Sequence, residues 1–361
     1  MKIRNYILAS VALLISAQAV TAREFTAPAE ALFPVQTLVA IPGVETVYPS
    51  VAGDFIVFGQ RKSGTFTVVR ASKSSPSSGT YKLKKLTLND SMRYGVAIAD
   101  GSIGYVSNRM GPISAWMWQG GGDGHVSIGN MATYRGGMAP FHLNASSNGQ
   151  VWCFDSTFQK KRYNQMLSEF SKYPHSELVG QQWRSYNYDN FRHKAGYAPT
   201  KAGQRNKFEP PILFTFVRKS SQLVMIPNAF NGAISPDGSK VAFVRESDGN
   251  YDLWMQNIDG GGLTQLTSSP FGDFEPAWSP DGKKLLFVSN RDSGGDVRNT
   301  SIYMLKLEGN QVKRLTNAKA ATDGGPAWLD SKTVAFHSNR DQKSPQSSTA
   351  SGWNIWQLKL N

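Results

Sequence analysis

Apolar runs of four to six residues, rich in β-branched and aromatic side chains, recur along this chain. Clusters of Gly, Pro, Ser, Asn and Asp separate them. Runs of this length bounded by turn formers predict strands. Outside residues 158–210 there is no long run with a 3.6-residue apolar period to compete with that reading. The pattern repeats most clearly in the C-terminal half. Ala233-Ile234-Ser235-Pro236-Asp237-Gly238 precedes the run Lys240–Val244, and Ala277-Trp278-Ser279-Pro280-Asp281-Gly282 precedes Lys284–Val288. A third copy, Ala327–Ser331, precedes Lys332–Phe336. Each unit goes on to an aromatic strand (Tyr251–Met255, Ser301–Leu305, Trp353–Leu358), and the first two then end in Leu266-Thr267 and Leu315-Thr316. Ser-Pro-Asp-Gly suits a tight turn, because Pro presets φ, Asp accepts a local backbone bond and Gly takes positive φ.

Fainter copies occur upstream. Turns near residues 53, 101, 149, 238, 282 and 331 are spaced by 48, 48, 89, 44 and 49 residues. Four short strands per unit of this length describe a propeller blade. The chain is therefore expected to be all-β: a six-bladed β-propeller, residues 23–361, with about one blade's length inserted at 158–210 in blade three. The last unit lacks a fourth strand, and Val35–Val39 supplies a spare one. Pairing the two would close the ring and remove an exposed edge.

Composition agrees with this picture. Gly and Pro number 34 and 18, a density that favours many turns over long helices. Hydrophobic residues make up 40%, enough for a core and too many for a disordered chain. The N-terminus reads as a secretory signal peptide over residues 1–22. Lys2 and Arg4 precede the apolar run Ile7–Val20, with cleavage after Ala19 or Ala22. The expected location is thus periplasmic or secreted, and no further run predicts an integral membrane protein. Cleavage would lower the formal charge from +13 to +11. The single Cys153 lies in the apolar run Val151–Phe154 and reads as a buried, inert thiol.

The segment 276–292, Pro-Ala-Trp-Ser-Pro-Asp-Gly-Lys-Lys-Leu-Leu-Phe-Val-Ser-Asn-Arg-Asp, resembles the repeat of TolB-type β-propellers, and Phe336–Asp341 repeats its end. The resemblance implies a six-bladed propeller in an exported bacterial protein. TolB itself carries an α/β domain before the propeller. Here about ten residues separate the cleavage site from the first strand, so a propeller without that domain is expected.

Candidate chemistry divides into two regions. Within 158–210, Tyr163, Met166, Leu167 and Phe170 have the spacing of one helix face, so the insertion is expected to be partly helical. Trp183, Arg184, Tyr188, Arg192 and Lys194 then interleave aromatic and basic residues. The segment has ten Lys/Arg against four Asp/Glu. Such a surface can stack on rings and attract anions. Second, aligning the blades by their turns brings Tyr48, Tyr94, His142, Asn231 and Glu275 to one level, just before each innermost strand, with Asp273 and Asp323 nearby. Together they would line a polar funnel. The Ser-Asn-Arg-Asp sets at 289–292 and 338–341 read as hydrogen-bonded corners.

The sequence has no nucleophile elbow, zinc-protease helix, P-loop or paired-cysteine motif, and its five His show no metal-ligand spacing. No catalytic residue, metal or cofactor is assigned. The expected function is a non-enzymatic module that binds an envelope protein or peptide segment, which the charge suggests is acidic. Export argues against nucleic acid. The alternative is a carbohydrate-active lyase or hydrolase working on an acidic glycan in the funnel.

Overall fold

The computed structural model describes residues 33–156 and 210–361, apart from 64, 75–80, 87–91, 108–113, 121–124, 129–139, 221, 248, 318–320 and 343–351. The expected signal peptide and nearly all of the 158–210 insertion lie outside the described residues.

Six antiparallel four-stranded sheets form six blades. Blade one is β2 (Glu45–Ala52), β3 (Phe55–Lys62), β4 (Thr65–Lys73) and β5 (Tyr81–Lys85). Blade two is β6 (Met92–Ala97), β7 (Ile103–Ser107), β8 (Ser114–Trp118) and β9 (His125–Ser127). Blade three is β10 (Phe141–Ala145), β11 (Val151–Ser156), β12 (Ile212–Val217) and β13 (Gln222–Pro227). The insertion falls between its second and third strands, where Ser156 pairs with Ile212. Blade four is β14 (Ala229–Ile234), β15 (Lys240–Ser247), β16 (Asn250–Asn257) and β17 (Thr264–Gln265). Blade five is β18 (Asp273–Trp278), β19 (Lys284–Ser289), β20 (Ser301–Lys306) and β21 (Gln311–Arg314). Blade six takes β22 (Asp323–Trp328), β23 (Thr333–Ser338) and β24 (Asn354–Lys359) from the C-terminus, and β1 (Val35–Val39) from the N-terminus as its outer strand. Innermost strands of successive blades touch around the full circle, β22 against β2 included, so the ring is closed.

The turn chemistry works as read. In blade five Ser279 Oγ donates to Asp281 Oδ1 at 2.6 Å, and the Lys283 amide donates to the same oxygen at 3.1 Å. The Lys284 amide donates to Ser279 Oγ at 2.9 Å, and Gly282 holds φ at 68°. These bonds, led by that from Ser279, hold the Asp281 carboxyl below its ordinary value. Asn148 does the same work in blade three, accepting from Ser146 Oγ at 2.8 Å and from the Gln150 amide at 3.0 Å. The faint N-terminal repeat is thus a real one.

The Leu-Thr endings are staples. Thr267 Oγ1 accepts the Leu253 amide at 3.0 Å, and Thr316 Oγ1 accepts the Ile302 amide at 2.8 Å. Asp252, beside Thr267, is held up to about 6, first by burial and then by the neighbouring Asp273 charge. A carboxyl raised by folding costs nothing below its ordinary value of 3.8 and destabilises fully above about 6. Asp252→Asn should therefore leave stability unchanged near pH 3.5 and raise it by about 1 kcal/mol at pH 8, a figure discounted for solvent screening. Paired denaturant melts at the two pH values check this.

Candidate functional site

Each innermost strand carries one residue more than its partner. In blade one Val47 faces Gly59 and Ser50 faces Val57. The same three-against-two step occurs in the other five blades. The extra residue is a β-bulge, and one residue of each bulge is left-handed. These are Tyr48, Tyr94, His142, Asn231, Glu275 and Gly325, with φ of 54°, 54°, 43°, 55°, 54° and 54°. The five positions aligned from sequence therefore lie inside the innermost strands, at the bulge, and not just before them. Behind each bulge stands a fully buried aromatic ring of the second strand: Phe58, Tyr105, Phe154, Phe243, Phe287 or Phe336. Burying such a ring is worth about 2–3 kcal/mol, which fixes the bulge level in every blade.

Left-handed φ costs a non-glycine residue about 1–2 kcal/mol. Five blades bear that cost and place a side chain at the axis. The sixth uses glycine for a steric reason. A Cβ on Gly325 would lie 2.5 Å from His337 Nδ1, and one on Gly324 would lie 2.7 Å from its Nε2. The two glycines make the slot for the His337 ring.

The bulge residues close one end of a cavity of about 370 Å³, which runs along the axis past Trp278 and Trp328 to Pro236, Pro280 and Leu329. Among the described residues, none before a bulge lines it. Half of its floor is aromatic. His337 meets Tyr48 edge-on at 4.7 Å, Tyr48 lies 5.9 Å from Tyr94, and Tyr94 meets His142 at 4.9 Å. Asn231 and Glu275 complete the circle as a polar half.

Hydrogen bonds within and between blades lock the floor. Asp155 Oδ2 accepts His142 Nδ1 at 2.8 Å and the Asn231 amide at 2.7 Å. His337 Nδ1 accepts the Tyr48 amide at 3.2 Å, so it carries no proton there. Glu275 accepts the Gly325 amide. Higher up, Ser50 Oγ accepts the Ala97 amide at 3.0 Å and Asn144 Oδ1 accepts the Ile234 amide at 2.9 Å.

Five of the seven funnel residues expected from sequence, Tyr48, Tyr94, His142, Asn231 and Glu275, line this cavity. Asp273 and Asp323 do not. They begin the innermost strands, are fully buried, and sit inside the corner motifs. Arg291 Nη2 donates to both Asp273 oxygens, at 2.7 and 2.8 Å. Burial pushes the Asp273 carboxyl up while Arg291 opposes the shift. Asp323 takes Arg340 Nε at 3.0 Å, Arg340 Nη2 at 2.5 Å and Thr316 Oγ1 at 2.6 Å. Trp183, Arg184, Tyr188, Arg192 and Lys194 lie outside the described residues. Sequence reasoning passed over Asp155, His337, Trp278 and Trp328 as site residues. Asp155 and His337 occupy the same position of the second strand, opposite the residue before the bulge, and a blade alignment extended to that strand would have found both. Cys153 is buried, and burial pushes its thiol well up, as an inert packing residue requires.

The cavity's electrostatics contrast with those of the chain. Glu275 and His142 are its acid-base side chains beside two tyrosines, and none of the described residues lining it is Lys or Arg. Among the described residues no group of three or more His, Cys, Asp or Glu is placed to hold a metal ion. No described helix is long and apolar enough to cross a membrane.

The family model for the TolB beta propeller domain, PD40, matches residues 218–298. The Tol-Pal system protein TolB of Anaeromyxobacter dehalogenans is 52% identical over 52 residues, which are 14% of this chain and only 12% of that protein. Among solved structures, a putative TolB from Agrobacterium tumefaciens superposes with a TM-score of 0.51 at 14% identity, covering 91% of this chain and 97% of that one. An oligogalacturonate lyase from Vibrio parahaemolyticus gives 0.51 at 14%, covering 91% and 94%. Likeness at that identity speaks for the fold, which here hosts both a TolB and a lyase. Residues 218–298 match the TolB beta propeller domain, and the chain as a whole folds as a six-bladed β-propeller.

Proposed function

We propose that this is an exported binding module that receives a short segment of an envelope protein in its axial cavity. The observation that carries the reading is the lining. Among the described residues, two Trp, five Pro and two Tyr surround a space of about 370 Å³, within the range of ligand pockets and too small for a folded domain. Aromatic rings and Pro offer contact area at low entropic cost to a peptide. The bulge floor is pre-organised by bonds between blades, so the cavity needs no rearrangement to bind. The partial match to TolB of the Tol-Pal system supports an envelope setting. The same lining argues against an acidic glycan in the channel. A sugar carboxylate there would be desolvated beside Glu275 with no Lys or Arg among the described lining residues to pair it.

Ala277 is half-buried and lines the cavity, so Ala277→Trp should plug it without touching the floor. We expect capture of envelope partners to fall at least about tenfold, as for loss of a central hot spot, with the melting temperature retained. Undiminished capture by a folded Ala277→Trp protein would overturn the proposal.

A further inference from the structure

We propose that β5, the outer strand of blade one, is a docking edge for an extended acidic segment of a partner protein. This surface is separate from the axial cavity. Among the described residues, blade one is the most basic part of the ring. Residues 45–86 hold seven Lys or Arg against Glu45 and Asp54, while blade four, directly across, holds two against five in residues 229–267. Some of these cations are engaged. Arg61 pairs with Glu45, Arg70 lies 4.1 Å over Phe55, and Lys84 lies 5.0 Å over Trp118. Lys62, Lys73, Lys82 and Lys85 are exposed and form no ion pair with a described residue.

Successive strand residues point to opposite faces, so a strand packed in a sheet stack normally hides one face. Lys82, Leu83, Lys84 and Lys85 are all exposed. Both faces of β5 are therefore open, and β4 is its only partner among the described strands. Leu83, at 48%, is the most exposed large hydrophobic side chain among the described residues. Outer strands differ in this respect: Val224, Met225 and Ile226 of β13 are buried, whereas Gln311, Val312 and Lys313 of β21 are exposed, and what sets β5 apart is an open edge that carries three lysines. An open edge, an apolar side chain within it and flanking unpaired ammonium groups fit one kind of occupant. A partner strand would pair through its backbone and present carboxylates to the lysines. The competing account is that the lysines only protect the edge from self-association.

The test uses the whole protein and two soluble capped peptides, one alternating Glu and Val, the other alternating Lys and Val. The acidic peptide should slow hydrogen exchange of the β5 amides, and moderate salt should weaken it, since exposed charges are screened over about 8 Å at physiological ionic strength. Lys82→Glu with Lys85→Glu should weaken the acidic peptide at least about tenfold and transfer preference to the basic one. Lys82→Gln with Lys85→Gln should weaken it less, without the reversal. Ala277→Trp should bind the acidic peptide like the parent protein, which separates this edge from the channel. Four results would overturn the proposal. They are protection away from β5, binding indifferent to the charge changes, lysine variants that self-associate yet still bind the peptide, and binding to phosphatidylglycerol vesicles with no β5 protection by either peptide.

Discussion

Deleting residues 33–40 should leave a protein that no longer melts as a single cooperative monomer. Those residues contain β1, the outer strand of blade six, where Val35 faces Leu358, Gln36 faces Gln357, Thr37 faces Trp356 and Val39 faces Ile355. Val39 is buried with Ile56, Phe58, Ala335 and Ile355, so it ties blade six to blade one. Phe33 is buried as well and lies under the Lys313 ammonium of blade five at 5.0 Å. The deletion would thus take two anchors and one strand at once and bare the edge of β24. Typical domains have only about 5–15 kcal/mol of net stability, and losing a strand with two buried anchors consumes most of it. The freed edge would also template pairing with another copy. Light scattering after gel filtration, with calorimetry, should show oligomers and a broad, lowered transition. A monomer with an unchanged melting temperature would show that the ring does not depend on this strand.

The second large effect is expected inside blade six. Arg340 is 1% exposed and Asp323 is 0% exposed, and their two hydrogen bonds are joined by that of Thr316. Arg340→Met would leave a buried carboxylate without its cation, a change that costs about 3–5 kcal/mol. Adding Asp323→Asn should recover a good part, because it removes the stranded charge. Arg298, paired with Asp296 at the exposed surface, is the control: Arg298→Ala should leave the melting temperature where it is. Urea melts of the four proteins would settle the matter, and an Arg340→Met protein as stable as the Arg298→Ala control would contradict the account.

How far the molecule was legible in its sequence follows from where its information is local. Ser-Pro-Asp-Gly turns close within five residues, so blade count, blade order and the closing role of Val35–Val39 could be read from spacing. The aligned bulge positions were readable for the same reason, since blades two to five count the same number of residues back from their turns, and blades one and six differ by no more than two. What spacing does not give is the bulge itself. It turns one residue left-handed and aims Tyr48, His142 and Glu275 at the axis, while Asp273 and Asp323, at the starts of the innermost strands of blades five and six, are kept inside. Contacts between blades were also hidden. Tyr48 and His337 meet across 289 residues of chain, and no local pattern announces such a pair. The aromatic and basic cluster from Trp183 to Lys194 lies outside the described residues, and its part in recognition stays a proposal. Neutralising Arg184, Arg192 and Lys194 would show whether it adds to the cavity's binding.

The central claim is that the partner enters the axial cavity. Its most direct test places a photoreactive benzoylphenylalanine at position 278, in the cavity wall, and separately at position 312, where Val312 is 39% exposed on the outer strand of blade five. After irradiation of bacterial cells exporting either protein, position 278 should give a covalent adduct that maps to a short segment of an envelope protein. Position 312 should give none with that partner. Adducts of the same partner from 312 and none from 278 would place binding on the outside of the propeller and contradict the account.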